Sequence, residues 1–260
     1  MRSCALPDSR GRLSHASILS ANKRHFRRKV ALITGASQGI GLAIAHALAA
    51  EGCDVVITGR RASALKKAAT QLAKYKVRVL PVVCDVRDER AVAALLAGVK
   101  KEFRRLDILV NNAGVAHGNL PVAKLPAALW REVIDTNLTG MFLVTRAALP
   151  LLKRGGTIVN NLSISAKRAF PGMAAYTAAK HGGLGFTKTL REEVRPRGIR
   201  VIALLPGAAD TAIWDSFWPE APRKKMMSAE TVARAVVDAL RLPDNSTVEE
   251  LVLMPTTGVL

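Results

Sequence analysis

From Val30 onward the chain alternates short apolar runs with longer segments of helical character, and nothing else in its 260 residues restricts the fold so tightly. Strand-like runs fall at Val30–Ile33, Cys53–Thr58, Val77–Val83, Ile108–Val110, Thr157–Asn161, Arg200–Leu205 and Leu251–Met254. Between them the pattern predicts helices over Ile40–Glu51, Ala62–Lys74, Glu89–Phe103, Pro126–Asn137, Met141–Lys153, Ala174–Val194 and Ala229–Arg241. Strands separated by helices do not close hairpins; they need right-handed crossovers and therefore a parallel sheet covered on both faces. The Val/Ile/Leu-rich runs agree, because strands buried on both faces lose the in-out alternation. The expectation is an α/β chain with one doubly wound domain over residues 29–260, without a repeat or linker to divide it.

Composition narrows the function classes. Hydrophobic residues make up 49%, enough for a substantial core. The 3 cysteines, Cys4, Cys53 and Cys84, are too few and too scattered for a disulfide framework or a zinc ribbon. No apolar stretch approaches the roughly 18–20 residues of a membrane helix. A cytoplasmic protein without membrane contact is the expectation. The net charge is +19, with +7 of it in residues 1–29 and +12 in the body. With aromatics at only 4% and no nucleic-acid motif, this charge reads as a basic surface and not as a nucleic-acid site. Residues 1–28 are rich in Arg, Ser and His and lack sustained apolar periodicity, so they read as a disordered basic tail. A transit peptide and a start codon placed too early are the other readings. A chain starting at Lys29 is expected to fold like the whole.

The chemistry gathers at strand ends. The first strand runs into Thr34-Gly35-Ala36-Ser37-Gln38-Gly39-Ile40-Gly41 and a helix follows at once. Glycines there permit a tight turn and close backbone approach, and the helix N-terminus suits a pyrophosphate. The second strand ends in Arg60 and Arg61 with no Asp or Glu from Val55 to Cys84. A carboxylate at that place would bind ribose hydroxyls; two guanidinium groups suit a 2′-phosphate instead, and Arg60 is placed better for it. Arg61 can equally begin a solvated helix face. NADP(H) is therefore favoured over NAD(H). The third strand runs into Asp85 and Val86. The Asp85 carboxylate can accept from an adenine amino group or cap the next helix. The fourth strand ends in Asn111-Asn112-Ala113-Gly114, which is also ordinary turn chemistry.

Tyr176 and Lys180 are four apart on a helix and share a face. An ammonium beside a phenol favours the tyrosinate and makes Tyr176 a general acid/base. Ser163 follows the fifth strand and can hold a substrate oxygen.

Together these pieces resemble the short-chain dehydrogenase/reductase family over almost the whole chain: TGASQGIG at 34–41, DV at 85–86, NNAG at 111–114, Asn137, Ser163, YTAAK at 176–180 and PGAADT at 206–211. The resemblance implies a Rossmann-type domain with a seven-stranded parallel sheet, and hydride transfer between nicotinamide and a carbonyl or secondary alcohol. It implies that Tyr176 protonates the carbonyl oxygen, that Ser163 hydrogen-bonds it, and that Lys180 lowers the phenol pKa and holds the nicotinamide ribose. Asn137 would anchor a water on the proton path, and Pro206, Gly207 and Thr211 would line the nicotinamide. Members pair the Ala174 helix and its predecessor across a twofold axis, so a homodimer or homotetramer is expected. The small residues of that helix (Ala174, Ala175, Ala178, Ala179, Gly182, Gly183, Gly185) fit a close neighbour.

The chain also departs from the family pattern. Leu162 replaces a serine, and Gln38 stands where NADP users often carry Arg or Lys. Trp214, Phe217 and Trp218 in the covering segment suggest an apolar or ring-bearing carbonyl substrate, or simply pack on the body. The basic run from Arg223 to Lys225 reads as a solvated face. Reduction of a carrier-bound 3-oxoacyl thioester is the alternative enzyme reading, and a catalytically silent cofactor-binding regulator the non-enzyme one.

Overall fold

The structure is a computed structural model that describes residues 25–259, the side chains of Ser216 and Phe217 excepted. Its strands are β1 (Val30–Ile33), β2 (Asp54–Gly59), β3 (Val79–Val83), β4 (Leu106–Asn111), β5 (Leu152–Asn161), β6 (Arg200–Pro206) and β7 (Glu250–Leu253). The helices are α1 (Gly39–Ala50), α2 (Ala62–Leu72), α3 (Glu89–Phe103), α4 (Ala127–Ile134), α5 (Gly140–Ala148), α6 (Ala174–Val194), α7 (Trp214–Phe217) and α8 (Ala229–Leu240). The strands form one seven-stranded sheet in the order β3-β2-β1-β4-β5-β6-β7. Every neighbouring pair is parallel, as the alternation of elements requires. The winding direction reverses between β1 and β4, which opens a crevice beyond the carboxyl ends of those strands.

Alternate residues of the central strands feed two cores. Ala31, Ile33, Val55 and Ile57 pack with α1 and α8 on one face. Val30, Leu32, Val56 and Leu109 pack with α3, α5 and α6 on the other. A buried polar chain then fixes α6 against the sheet. Asn111 Nδ2 donates to Thr145 Oγ1 and to Asn160 Oδ1, each at 2.8 Å, and Asn160 Nδ2 donates to Thr187 Oγ1 at 2.9 Å. Amides buried in a sheet need such partners, and meeting that need sets the height of α6.

Most boundaries shift by one or two residues, and three departures from the sequence expectation go further. The helices predicted over 126–137 and 141–153 form one continuous run, α4 and α5 joined by a π-helical turn over Asp135–Thr139. β5 begins at Leu152, because Leu152 pairs with Leu106 before a register shift restores Thr157 opposite Ile108. The polar, glycine-bearing segment Lys153-Arg154-Gly155-Gly156 hides that start. Finally, the ordered body reaches upstream of Lys29. Phe26 is 1% exposed within the first core, and its N–H donates to the Glu51 carbonyl at 3.2 Å. A single aromatic among basic residues has no period, so the pattern cannot reveal it. The rest of the predicted tail, residues 1–24, lies outside the described residues. Among the described residues no helix is long and apolar enough to cross a membrane.

Candidate active site

The β1–α1 turn builds the floor of a cleft of about 1320 Å³ at the carboxyl edge of the sheet. Gly35 adopts φ +63°, and a Cβ there would lie 2.8 Å from Ala113 Cα. A Cβ on Gly41 would lie 2.3 Å from Asn112 Nδ2, so this glycine lets α1 sit against the end of β4. Asn112 closes the join by donating from Nδ2 to the carbonyls of Thr34 at 2.9 Å and Gly35 at 3.1 Å. The Thr34 hydroxyl accepts from the N–H groups of Asn112 and Ala113 at 2.9 and 3.0 Å. α1 starts with Gln38 as its N-cap, no side-chain cap and no acidic residue in its first turn. Its N-terminal N–H groups therefore face the cleft with their partial positive charge uncompensated.

Arg60 and Arg61 line the same cleft beyond β2. The Arg61 guanidinium donates to Gln38 Oε1 at 2.9 Å. Asp85 follows β3 and is gripped by Arg87, whose Nη2 lies 2.6 Å from Oδ2. That hydrogen bond holds the carboxyl below its ordinary range, with Arg60 adding a smaller pull. The cap of α3 is Asp88, which accepts from Arg90 and Ala91 N–H groups. Asp85 is thus free of capping duty and turned to the cleft.

At the other end stand Ser163, Tyr176 and Lys180. Lys180 is buried and donates from Nζ to the Asn161 carbonyl at 3.1 Å, with its ammonium 5.3 Å from the centre of the Tyr176 ring. Ser163 Oγ accepts from the Ser165 N–H at 3.1 Å and donates to Ser165 Oγ at 3.2 Å. Asn137 lies in the π turn with both side-chain atoms on Val115: Oδ1 accepts from its N–H at 2.9 Å, and Nδ2 donates to its carbonyl at 2.8 Å. Pro206, Gly207 and Thr211 line the wall beyond β6. The structure brings all but one of the residues singled out above for catalysis or cofactor binding to this cleft, including Ser37, Gly39, Ile40, Val86, Ala113 and Gly114. Gly41 alone does not line it and instead packs beneath.

The family model described as short chain dehydrogenase matches residues 29–222. The chain belongs to the short chain dehydrogenase family. It is 36% identical to sulfoacetaldehyde reductase 2 of Chromohalobacter salexigens, over 87% of this chain and 94% of that one. It is 40% identical to the 3-oxoacyl-(acyl-carrier-protein) reductase of Synechocystis, over 69% of this chain and 73% of that one. The alcohol dehydrogenase of the archaeon Thermococcus sibiricus, solved with 5-hydroxy-NADP, superposes with a TM-score of 0.82 at 33% identity, covering 88% of this chain and 97% of that one. Membership makes the protein an oxidoreductase.

Burial governs the electrostatics at the catalytic end of the cleft. Burial raises the Tyr176 phenol above its ordinary value, and the Ser163 hydroxyl draws it back only in part. Lys180 feels the same burial. Its own ammonium is desolvated, which pushes it down to about 8, and its proton is directed at Asn161.

Several cleft residues escaped the sequence reading. Asn161 joins both halves of the site, since its Nδ2 donates to Asn112 Oδ1 at 2.8 Å while its carbonyl receives Lys180. Ser165 holds the Ser163 hydroxyl, and Phe170 and Met173 line the wall. The only sequence signal for these was nearness to Ser163. The basic run Arg223–Lys225, inside the covering segment 212–227, is not a simple solvated face either. Arg223 Nη1 lies 2.8 Å from Asp210, and its Nη2 lies 2.5 Å from Asp215.

Proposed function

We propose that the protein reduces a carbonyl group, or oxidises the matching secondary alcohol, with NADP(H) as the preferred cofactor. The carrying observation is the convergence of Ser163, Tyr176 and Lys180 on one end of a cleft whose other end offers an unblocked helix N-terminus and two arginines. The glycine floor, which a Cβ would fill, fits a pyrophosphate, and the Arg60–Arg61 pair fits a 2′-phosphate. Bound there, NADP(H) supplies or accepts the hydride. The NADP-type ligand of the Thermococcus enzyme supports the same choice.

In reduction the substrate oxygen is received by the Ser163 hydroxyl and takes its proton from the Tyr176 phenol. The raised phenol pKa keeps that proton in place until charge develops on the oxygen. Lys180 holds the cofactor ribose and stands beside the phenol that must be reprotonated. Asn137 shapes the wall at Gly114–Val115, and the water-anchoring role assigned to it by the family belongs to this reading. Pro206, Gly207 and Thr211 would take the nicotinamide, and Asp85 the adenine.

The proposal extends to a homo-oligomeric protein of the cytoplasm. Phe142 is 41% exposed and meets Phe186 edge-on at 6.3 Å, which supports an apolar contact beside α6. Gly182 and Gly183, by contrast, pack inside the chain against Leu138 and Leu162. Light scattering at micromolar concentration tests the assembly. The activity is tested by following NADPH consumption with a panel of ketones, aldehydes and a carrier-bound 3-oxoacyl thioester. The Synechocystis relative keeps that last substrate in view.

A further inference from the structure

The charges around the cleft are distributed unevenly. Five charged residues line it: Arg60, Arg61, Asp85, Glu132 and Lys180. Arg60 and Asp85 interact at the ends of β2 and β3, and Glu132 acts on Arg87, the partner of Asp85. Those four therefore belong to the adenosine end. Lys180 is committed to the floor beside Tyr176. The half of the cleft beyond Ser163 holds no charged lining residue among those described. Its walls are Ile164, Phe170, Met173, Trp214, Trp218 and Val259.

The lid strengthens that division. Trp214 donates its indole N–H to the Ala209 carbonyl at 2.8 Å, so the ring brings apolar surface to the cleft with its polar edge satisfied. Trp218 stands 6.1 Å from it at a 53° tilt and is 39% exposed. The cation closest to these rings in sequence, Arg223, is shared among Asp210, Asp215 and the Thr211 carbonyl, and it does not line the cleft. An anionic group in this half would lose its water without gaining a cation, at a cost of several kcal/mol. A flat apolar body would cover exposed aromatic surface at a gain.

We propose that the substrate is an uncharged carbonyl compound carrying an aryl or alicyclic ring, held between Phe170 and the Trp214–Trp218 pair, and that anionic carbonyl compounds are excluded. This rests on the reductase reading above and separates the protein by substrate charge from the relative named for sulfoacetaldehyde. Of the polar groups at that end, Ser163, Ser165 and Tyr176 serve one oxygen, and Asn119, which sits against Gly172 beside Phe170, is an uncharged amide that offers an anion no cation. Reduction transfers one hydride and one proton to the carbonyl, leaving the oxidised nicotinamide and a secondary alcohol.

The test compares NADPH-dependent kcat/KM for acetophenone and cyclohexanone with that for acetylbenzoate, pyruvate and sulfoacetaldehyde. The expected preference for the neutral ring ketones is about 100-fold or more, the size set by an uncompensated carboxylate. Trp218→Arg supplies the missing cation and should raise the ratio of acetylbenzoate to acetophenone turnover by roughly 10-fold, the scale of one charge-assisted hydrogen bond. A ratio is insensitive to partial loss of folded enzyme. Equal or better use of the anions by the wild type overturns the substrate class and leaves the reductase reading standing. Failure to reduce any of the five carbonyls or oxidise their alcohols, in a protein that binds NADPH, overturns the reductase reading and this inference with it.

Discussion

Arg61 and Gln38 meet at 2.9 Å across the mouth of the cleft, the guanidinium of one on the side-chain carbonyl of the other. Gln38 stands where the resemblance leads to an expected cation in an NADP user, and the contact places a cation there from the neighbouring strand end. Arg60 is the second positive group of the pair and already acts on Asp85. Wild type should prefer NADPH. Arg60→Asp should move the preference toward NADH, and Arg61→Ala should weaken NADPH alone, each by about 10- to 100-fold. Added salt should weaken NADPH binding more than NADH binding. Values of kcat/KM for both cofactors check this; equal use of NADH by the wild type would show the arginines to be surface charge.

Tyr176→Phe keeps the ring that packs beside Val133, Ala175 and Ala179 and removes the proton. Turnover should fall by about 10²–10⁴-fold while NADPH still binds. Wild-type turnover by this variant would place the acid elsewhere.

Lys180 yields a pH signature in stability. Its folded value of about 8 lies below the ordinary 10.5, so between these limits the unfolded chain binds more protons than the folded one. Stability from this group therefore rises with pH across that window, and below it the fold carries a buried charge at a cost. Lys180→Met should be inactive yet melt above the wild type at neutral pH, with the gap closing as pH climbs past 8. Thermal unfolding across pH measures it, and a constant gap would contradict the buried ammonium.

Phe26 predicts what truncation does. Phe26→Ala leaves a cavity under the first core and should cost about 3–5 kcal/mol, or on the order of 10 °C in melting midpoint. A chain starting at Lys29 should melt lower by a similar amount, while one starting at Lys23 should match the full chain. Equal midpoints for all three would show that Phe26 contributes nothing.

The parts of the fold that follow a period were legible: the order of strands and helices, the parallel sheet, and the full extent of α3 and α6. Contacts between distant residues carry no period. Asn111 read as turn chemistry yet is a buried link from Thr145 to Asn160. The strand start at Leu152 and the anchoring of Phe26 depend on Leu106 and Glu51, far away in sequence. Within the site, residue types and spacing led to the glycine turn, Ser163, Tyr176 and Lys180. The direction of the phenol shift was not legible, since burial decides it and burial belongs to the whole fold.

Helix α6 spans 21 residues, roughly 30 Å. Near its start it carries Tyr176 and Lys180; near its end Arg191 is buried, donating to the Val201 carbonyl at 3.0 Å and to the Glu249 carbonyl at 2.7 Å. The same rod therefore aims the proton donor and hangs the last strand, whose continuation through Met254 and Val259 forms part of the cleft wall. The Phe170 loop leads into the same rod, since the N–H of its N-cap Met173 donates to the Phe170 carbonyl. The lid from Ala212 to Met227 hangs from other supports. Divergence toward new substrates has a free hand in the lid, while the acid and the far wall are bound to change together or not at all.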